Sequence, residues 1–141
     1  MQFLGHLALG YFFGATVSKY TKEKLNIPLI WIFSLLPDID ILTRGFLLHR
    51  GPTHSILLAA ILFLPLYLIT KRGLPYFAAL ASHTLIGDYF NPSEKLFWPV
   101  SNDWFGAPSI LQLTGRMLII VEVSLFTLMV IAILAKYLRS S

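Results

Sequence analysis

The chain is 141 residues long, 56% hydrophobic and only 13% charged, with a mean hydropathy of +0.71, a balance that excludes an ordinary soluble domain and points to a membrane protein. Its net charge of +4 and pI near 9.5 do not indicate nucleic acid, because the 11 basic residues lie singly or in short groups between apolar runs. Cysteine is absent, so disulfides and thiolate metal sites are excluded and any metal must be held by nitrogen and oxygen.

The first apolar run extends from about Phe3 to Val17 and lacks the basic start and small-residue cleavage pattern of a secretory signal, so it reads as a retained helix. Gly10 and Gly14 have the small-xxx-small spacing that lets a second helix approach closely, and His6 lies one turn from Gly10 on the same face. After a polar turn carrying Lys19, Lys22, Glu23 and Lys24, Pro28 opens a second run that breaks at Pro37. The segment Pro37-Asp38-Ile39-Asp40 then places carboxylates at i and i+2. These point about 200° apart on a helix but to one side of an extended strand, so an extended segment is expected, with both carboxylates facing one ion.

Pro52 sits where a first helical residue belongs, and a third helix is expected over Thr53–Thr70. Lys71, Arg72, Gly73 and Pro75 form a turn before a fourth run that reaches about Phe90 and carries His83 and Asp88 in its last turns. Residues 91–108, rich in Pro, Trp, Phe and Asn, have no helical period and read as a re-entrant or interfacial loop. The last run, from about Ile110 to Tyr137, is long enough to cross a bilayer, which takes about 20 residues.

The expected fold is thus an all-α integral membrane protein. It is a bundle of about five short transmembrane or partly spanning helices in a single domain over 1–141, with a metal-site core over 1–108 and a C-terminal transmembrane helix over 109–138. With five spans, Lys19, Lys22, Lys24, Lys71, Arg72, Lys136 and Arg139 fall on one side and Arg44, Arg50, Lys95 and Arg116 on the other. The positive-inside rule puts the larger set and the C-terminus in the cytoplasm and the N-terminus outside.

His6, Asp38, Asp40, His49, His54, His83 and Asp88 then all lie at the external ends of spans, although nothing in the span count requires it. Ionisable groups are costly beside lipid unless compensated, and imidazoles with carboxylates suit a divalent cation: zinc first, with manganese or magnesium as alternatives. Seven candidates exceed one closed site, so two ions are expected. A pair about 3.5–4 Å apart could bridge a nucleophile and neutralise a phosphoester. Arg50 is the expected clamp for phosphate.

These residues also resemble a known family. His6, Pro37-Asp38-Ile39-Asp40, the block His49-Arg50-Gly51-Pro52-Thr53-His54-Ser55, Ser82-His83 followed by Asp88, and Leu96-Phe97-Trp98-Pro99 are similar to the YdjM-like, LexA-regulated family of membrane-bound metal-dependent hydrolases, over residues 1–100. The resemblance implies a multi-pass protein with a metal site built from these histidines and aspartates, and a hydrolase activity inferred from that site. One spacing departs from it. His83 and Asp88 are separated by four residues where three are expected, and at i and i+5 they diverge by about 140° on a regular helix, so Gly87 is expected to mark a bulge or the helix end.

The expectation is a hydrolase of a phosphoester, most naturally in a lipid, with no nucleic-acid partner. His6, Asp38, Asp40, His49, His54, His83 and Asp88 are the candidate metal ligands, and Arg50, His49 and Asp88 the candidate catalytic groups. The blander alternatives are specific too. His6 could be a packing histidine; Asp38 and Asp40 could cap the broken helix or pair with Arg44; Thr53 and Ser55 read as helix caps rather than nucleophiles. Trp98, Trp104 and Phe105 read as an aromatic belt, and Glu122 as a residue that bonds another helix. The rival functions are a metal that merely staples helix ends and a metal transporter; His-Glu-x-x-His is absent.

Overall fold

The computed structural model describes residues 2–43, 49–90 and 93–140, so Arg44 and Asn91 lie outside the described residues. Among these the chain is all-α. Helix α1 (Phe3–Thr21) ends where Lys22 takes a left-handed conformation, φ 59°. Helix α2 (Ile27–Leu35) starts under the Asn26 side chain, which accepts from Leu29 N at 3.1 Å, with Pro28 in the first turn where its missing N–H costs nothing. Helix α3 (Ile56–Thr70) and α4 (Leu74–Ser82) follow, joined by a turn with Lys71 and Gly73 at φ 54° and 107°. Helix α5 (Gly115–Ser140) closes the chain.

The glycines of α1 do what their spacing predicts. A Cβ on Gly10 would lie 2.4 Å from Ser34 Cβ, so α1 and α2 approach closely there, and one on Gly14 would lie 2.4 Å from the Ile30 side-chain tip at Cδ1. Around this pair Ala8, Tyr11, Ile30, Ala79 and Met129 form the apolar core, drawn from α1, α2, α4 and α5. Helix α3 buries no residue completely and stands at the margin, with Leu62, Leu64, Leu66, Leu68 and Ile69 exposed.

Burial is inverted relative to a water-soluble bundle. The buried side chains include His6, Ser34, Asp40, His54, Ser55, Ser82, His83, Thr84, Asp88, Glu94 and Glu122, whereas long rows of leucine and isoleucine face outward. Such a distribution suits a lipid surround, where apolar groups gain nothing by hiding and polar groups must. Among the described residues one helix is long and apolar enough to cross a membrane, over Gly115–Arg139. Helices α2 and α4, nine residues each, are about 14 Å long and cannot cross a hydrocarbon core of about 30 Å unaided.

Three local expectations are revised. The segment after Pro37 is a 3-10 helix over Leu36–Thr43 rather than extended, because Asp38 and Asp40 reach different partners, as described below. The third helix begins at Ile56, three residues later than expected, after a separate 3-10 turn over Pro52–His54. The last helix begins at Gly115 rather than near Ile110, which lies in a short 3-10 turn over Ser109–Leu111.

Glu122 gains a definite role. Its buried carboxylate on α5 accepts from the backbone N–H of Gln2, at the start of α1, where no side chain of α1 itself supplies a cap. A carboxylate there satisfies an orphan donor and complements the helix dipole. Glu122→Ala is expected to lower stability by about 1–2 kcal/mol, seen as a reduced thermal midpoint in detergent. An unchanged midpoint would deny the cap.

Candidate metal centre

Apart from His6, which α1 carries, the donors are delivered where the helices break or turn. The 3-10 segment after Pro37 delivers Asp38 and Asp40, the Pro52–His54 turn delivers His54, and the end of α4 delivers His83 and Asp88. There the helix widens into a π-helical turn over His83–Asp88. A turn closing from i to i+5 brings these two residues to one face, which resolves the spacing a regular helix could not accommodate. Their Nε2 and Oδ2 atoms are 3.5 Å apart. Gly87 is needed inside this turn, since a Cβ would sit 2.5 Å from the His6 ring.

Asp38, His54, His83 and Asp88 form the inner group, their ligand atoms all within 4.8 Å of one another. His54 Nε2 lies 3.4 Å from Asp38 Oδ1, 3.3 Å from Asp88 Oδ2 and 3.3 Å from His83 Nε2, while His83 Nε2 lies 3.6 Å from Asp38 Oδ1 and 3.5 Å from Asp88 Oδ2. A tetrahedron with metal–ligand bonds of about 2.0–2.2 Å has edges of about 3.3–3.6 Å. These five separations and the nitrogen and oxygen donors therefore fit a site that could hold a divalent cation.

The histidines are held in tautomers that suit this use. His83 Nδ1 donates to the Ser34 carbonyl at 2.7 Å, leaving the Nε2 lone pair toward the cage. His54 Nδ1 faces Asp40 Oδ2 at 3.4 Å and Thr53 Oγ1 at 3.2 Å. Asp40 is itself fixed, accepting from Thr53 Oγ1 at 2.9 Å, Arg50 N at 3.1 Å and pairing with His49 Nδ1 at 3.0 Å. Burial raises the cost of charge on Asp38, but the imidazoles of His54, His83 and His6 outweigh it and hold its carboxyl below the usual carboxylate range.

Asp40, His49 and His54 form a second, outer group that could also hold a divalent cation. The two groups meet on opposite nitrogens of the His54 ring rather than on a shared carboxylate, which differs from the expected pair about 3.5–4 Å apart. A neutral imidazole offers one lone pair and one N–H, so ions on both nitrogens at once require the ring to lose its remaining proton.

All seven residues expected as ligands are gathered here, at different depths. His6 lies behind the cage, with Nε2 3.4 Å from Asp88 Oδ1 and its ring stacked on His83 at 3.6 Å between centroids. It belongs to neither ligand group. His49 is half-exposed at the rim. Arg50 adopts φ 61°, an uncommon conformation for a residue with a side chain; from it the backbone N–H meets Asp40 while Nη2 approaches Asp88 Oδ1 at 3.7 Å. Thr53 donates to Asp40, and Ser55 caps α3 by accepting from Leu58 N at 3.1 Å.

A groove of about 670 Å³ opens onto the cage, with Asp38, His49, Arg50 and Asp88 at its polar end and Phe3, Ile32, Leu35, Leu36, Ile39, Ile41 and Leu42 along its walls. The loop that follows α4 is strapped to the Arg50 backbone and to the start of α3. Glu94 and Phe105 exchange backbone hydrogen bonds of 2.8 and 2.9 Å, Lys95 N donates to Arg50 O at 2.9 Å, and Ser55 Oγ reaches the carbonyls of Leu96 and Trp98. Glu94, which the sequence did not single out, is carried by this strap into the buried interior. No spacing relates it to the other donors; its isolation as the one acid amid 91–100 was the available signal.

The profile of the YdjM inner membrane protein family matches residues 1–140, nearly the whole chain and beyond the part that carries the sequence motifs. The chain belongs to this family. Searches of curated proteins and of solved structures returned no match. In this YdjM-family chain the match covers the cage, the strap and α5 together, so the long apolar helix and the His/Asp clusters are parts of one family unit.

Proposed function

We propose that this protein is a membrane-embedded metal-dependent hydrolase acting on a phosphoester of an amphiphilic, lipid-like substrate. The observation that carries the reading is the groove: its walls are apolar, and its polar end joins the metal cage to a guanidinium. Asp38, His54, His83 and Asp88 would hold the ion, zinc by the size of the cage. A divalent cation there would supply Lewis-acid polarisation of a phosphoryl oxygen and a supply of acidified water. Arg50 binds the anionic headgroup through its planar donor fork, the walls take an acyl chain, and Asp40 fixes the orientation of His54. In this reading the first four helices partly span the bilayer and the groove's polar end opens on the external face, supported by the count of basic residues on each side.

A specific observation favours a second reading. Four protein donors complete a tetrahedron, as in structural sites, so the ion would staple the 3-10 segment, α3 and α4 together without turnover. Against it, Asp38 is partly exposed and lines the groove, which leaves one edge of the cage accessible to a further oxygen.

The deciding experiment is elemental analysis of detergent-purified protein together with phosphate release from mixed micelles of anionic phospholipids and alkyl phosphate monoesters. Bound zinc and release are expected; zinc with no release from any of them selects the staple. Asp40→Asn is expected to weaken zinc binding about 10–100-fold, the usual cost of losing a group that orients a ligand, as read by competition with a chromophoric chelator. If the protein holds a second ion, that ion should be lost outright in the same variant.

A further inference from the structure

His6 is expected from the sequence as a ligand, yet it belongs to neither ligand group. Its buried ring is instead fitted to the π-helical turn that carries two of the ligands. One face stacks on His83, with centroids 3.6 Å apart and planes within 14° of parallel. The Nδ1–Cε1 edge lies over Gly87, where a Cβ would stand 2.5 Å from both atoms, and Nε2 lies 3.4 Å from Asp88 Oδ1. Helix α1 brings the ring there from a fixed start: His6 N donates to Gln2 O at 3.3 Å, and the Gln2 N–H is the group that Glu122 accepts.

The two oxygens of Asp88 have different neighbours. Oδ2 belongs to the cage, 3.3 Å from His54 Nε2 and 3.5 Å from His83 Nε2. Oδ1 meets His6 Nε2 at 3.4 Å and Arg50 Nη2 at 3.7 Å. These two cations or donors differ in how they are held. Arg50 is partly exposed and lines the groove, so its guanidinium can turn to a phosphate there and draw away from Asp88. The His6 ring, wedged against His83 and Gly87, stays.

We propose that His6 is a positioning residue and not a ligand: it holds Asp88 Oδ1, so that Oδ2 keeps its place in the cage while Arg50 turns to an anionic substrate. The part played by Arg50 rests on the hydrolase reading; the hold on Asp88 does not. A carboxylate that offers one oxygen to an ion can otherwise rotate and exchange its oxygens, and an N–H on the second oxygen decides which one the ion meets. Stacking restrains the neighbouring His83 ring in the same way. His6 thus acts on the metal through Asp88, and on the substrate by keeping Oδ1 as the guanidinium leaves it.

The test uses the full-length protein in detergent and reads zinc affinity by competition with a chromophoric chelator. His6→Ala should bind zinc about 10–100-fold more weakly, and His6→Gln, which keeps an N–H donor and most of the side-chain bulk, should recover part of the loss. Wild-type affinity in His6→Ala overturns the proposal. Complete loss of zinc from His6→Gln with its helical circular dichroism intact overturns it too, by making the ring a ligand. A second readout, calorimetric binding of inorganic phosphate to the zinc-saturated proteins, separates the hold on Asp88 from mere packing. His6→Ala should weaken phosphate about 10-fold or more on its own, because Arg50 must then stay with Asp88, and should change nothing further in an Arg50→Gln background. Equal losses in the two backgrounds overturn the link to Arg50. A zinc-saturated wild type that binds no phosphate overturns the hydrolase reading and the link to Arg50 with it, while the zinc affinities still decide the hold on Asp88.

Discussion

Replacing His54 by alanine is expected to reduce bound zinc to background and to abolish any phosphate release. Among the described residues it is the one member common to both ligand groups. Its Nε2 lies within 3.4 Å of Asp38, Asp88 and His83, and its Nδ1 at 3.4 Å from Asp40. Without it, Asp38, Asp40 and Asp88 are left close together with one compensating ring fewer, and breaking a buried charge arrangement in this way costs about 3–5 kcal/mol. The metal-free variant should therefore also unfold at a lower temperature than chelator-treated wild type, which keeps the ring. Full zinc content in the purified variant would remove the inner cage as the binding site.

Gly10→Ala is expected to weaken metal binding from a position with no ligand nearby. The added methyl would stand 2.4 Å from Ser34 Cβ and 3.0 Å from Ser34 Oγ, atoms fixed to the α2 backbone, so α2 itself must move. The Ser34 carbonyl is the acceptor that sets the His83 tautomer, at 2.7 Å. Overpacking of this kind costs about 1–3 kcal/mol, and disturbing a group that orients a ligand costs about 10–100-fold in affinity. Gly14→Ala is the control. Its methyl meets mainly the far end of the Ile30 side chain and, at 3.1 Å, the Pro75 carbonyl, so stability should fall while zinc affinity stays near wild type. Equal zinc affinities in the two variants would disconnect Ser34 from the site.

The helices and the cage were legible in the sequence to different degrees. Proline and glycine punctuate the chain where elements begin and end, and the glycine spacing of α1 announced its contact with α2, because these are local signals. The seven imidazoles and carboxylates announced a common site because each stood out against an apolar background. Their order around an ion was not legible. Whether Asp40 binds a cation or steadies His54 depends on which ring nitrogen it meets, and that follows from the pitch of a 3-10 segment which spacing alone could not separate from an extended one. Glu94 was invisible for a related reason: its burial is created by bonds to Phe105 and by the neighbouring contact with Arg50, both remote along the chain.

The π-helical turn over His83–Asp88 has one more implication. An inserted residue ordinarily rotates everything beyond it by about 100° about the helix axis, which would aim the later donor away from its partners. Here the extra residue is wound into a single widened turn of backbone, so Asp88 still meets His83. Chains of either length can therefore share one set of donors, and a length change of one residue between the two need not signal loss of the metal.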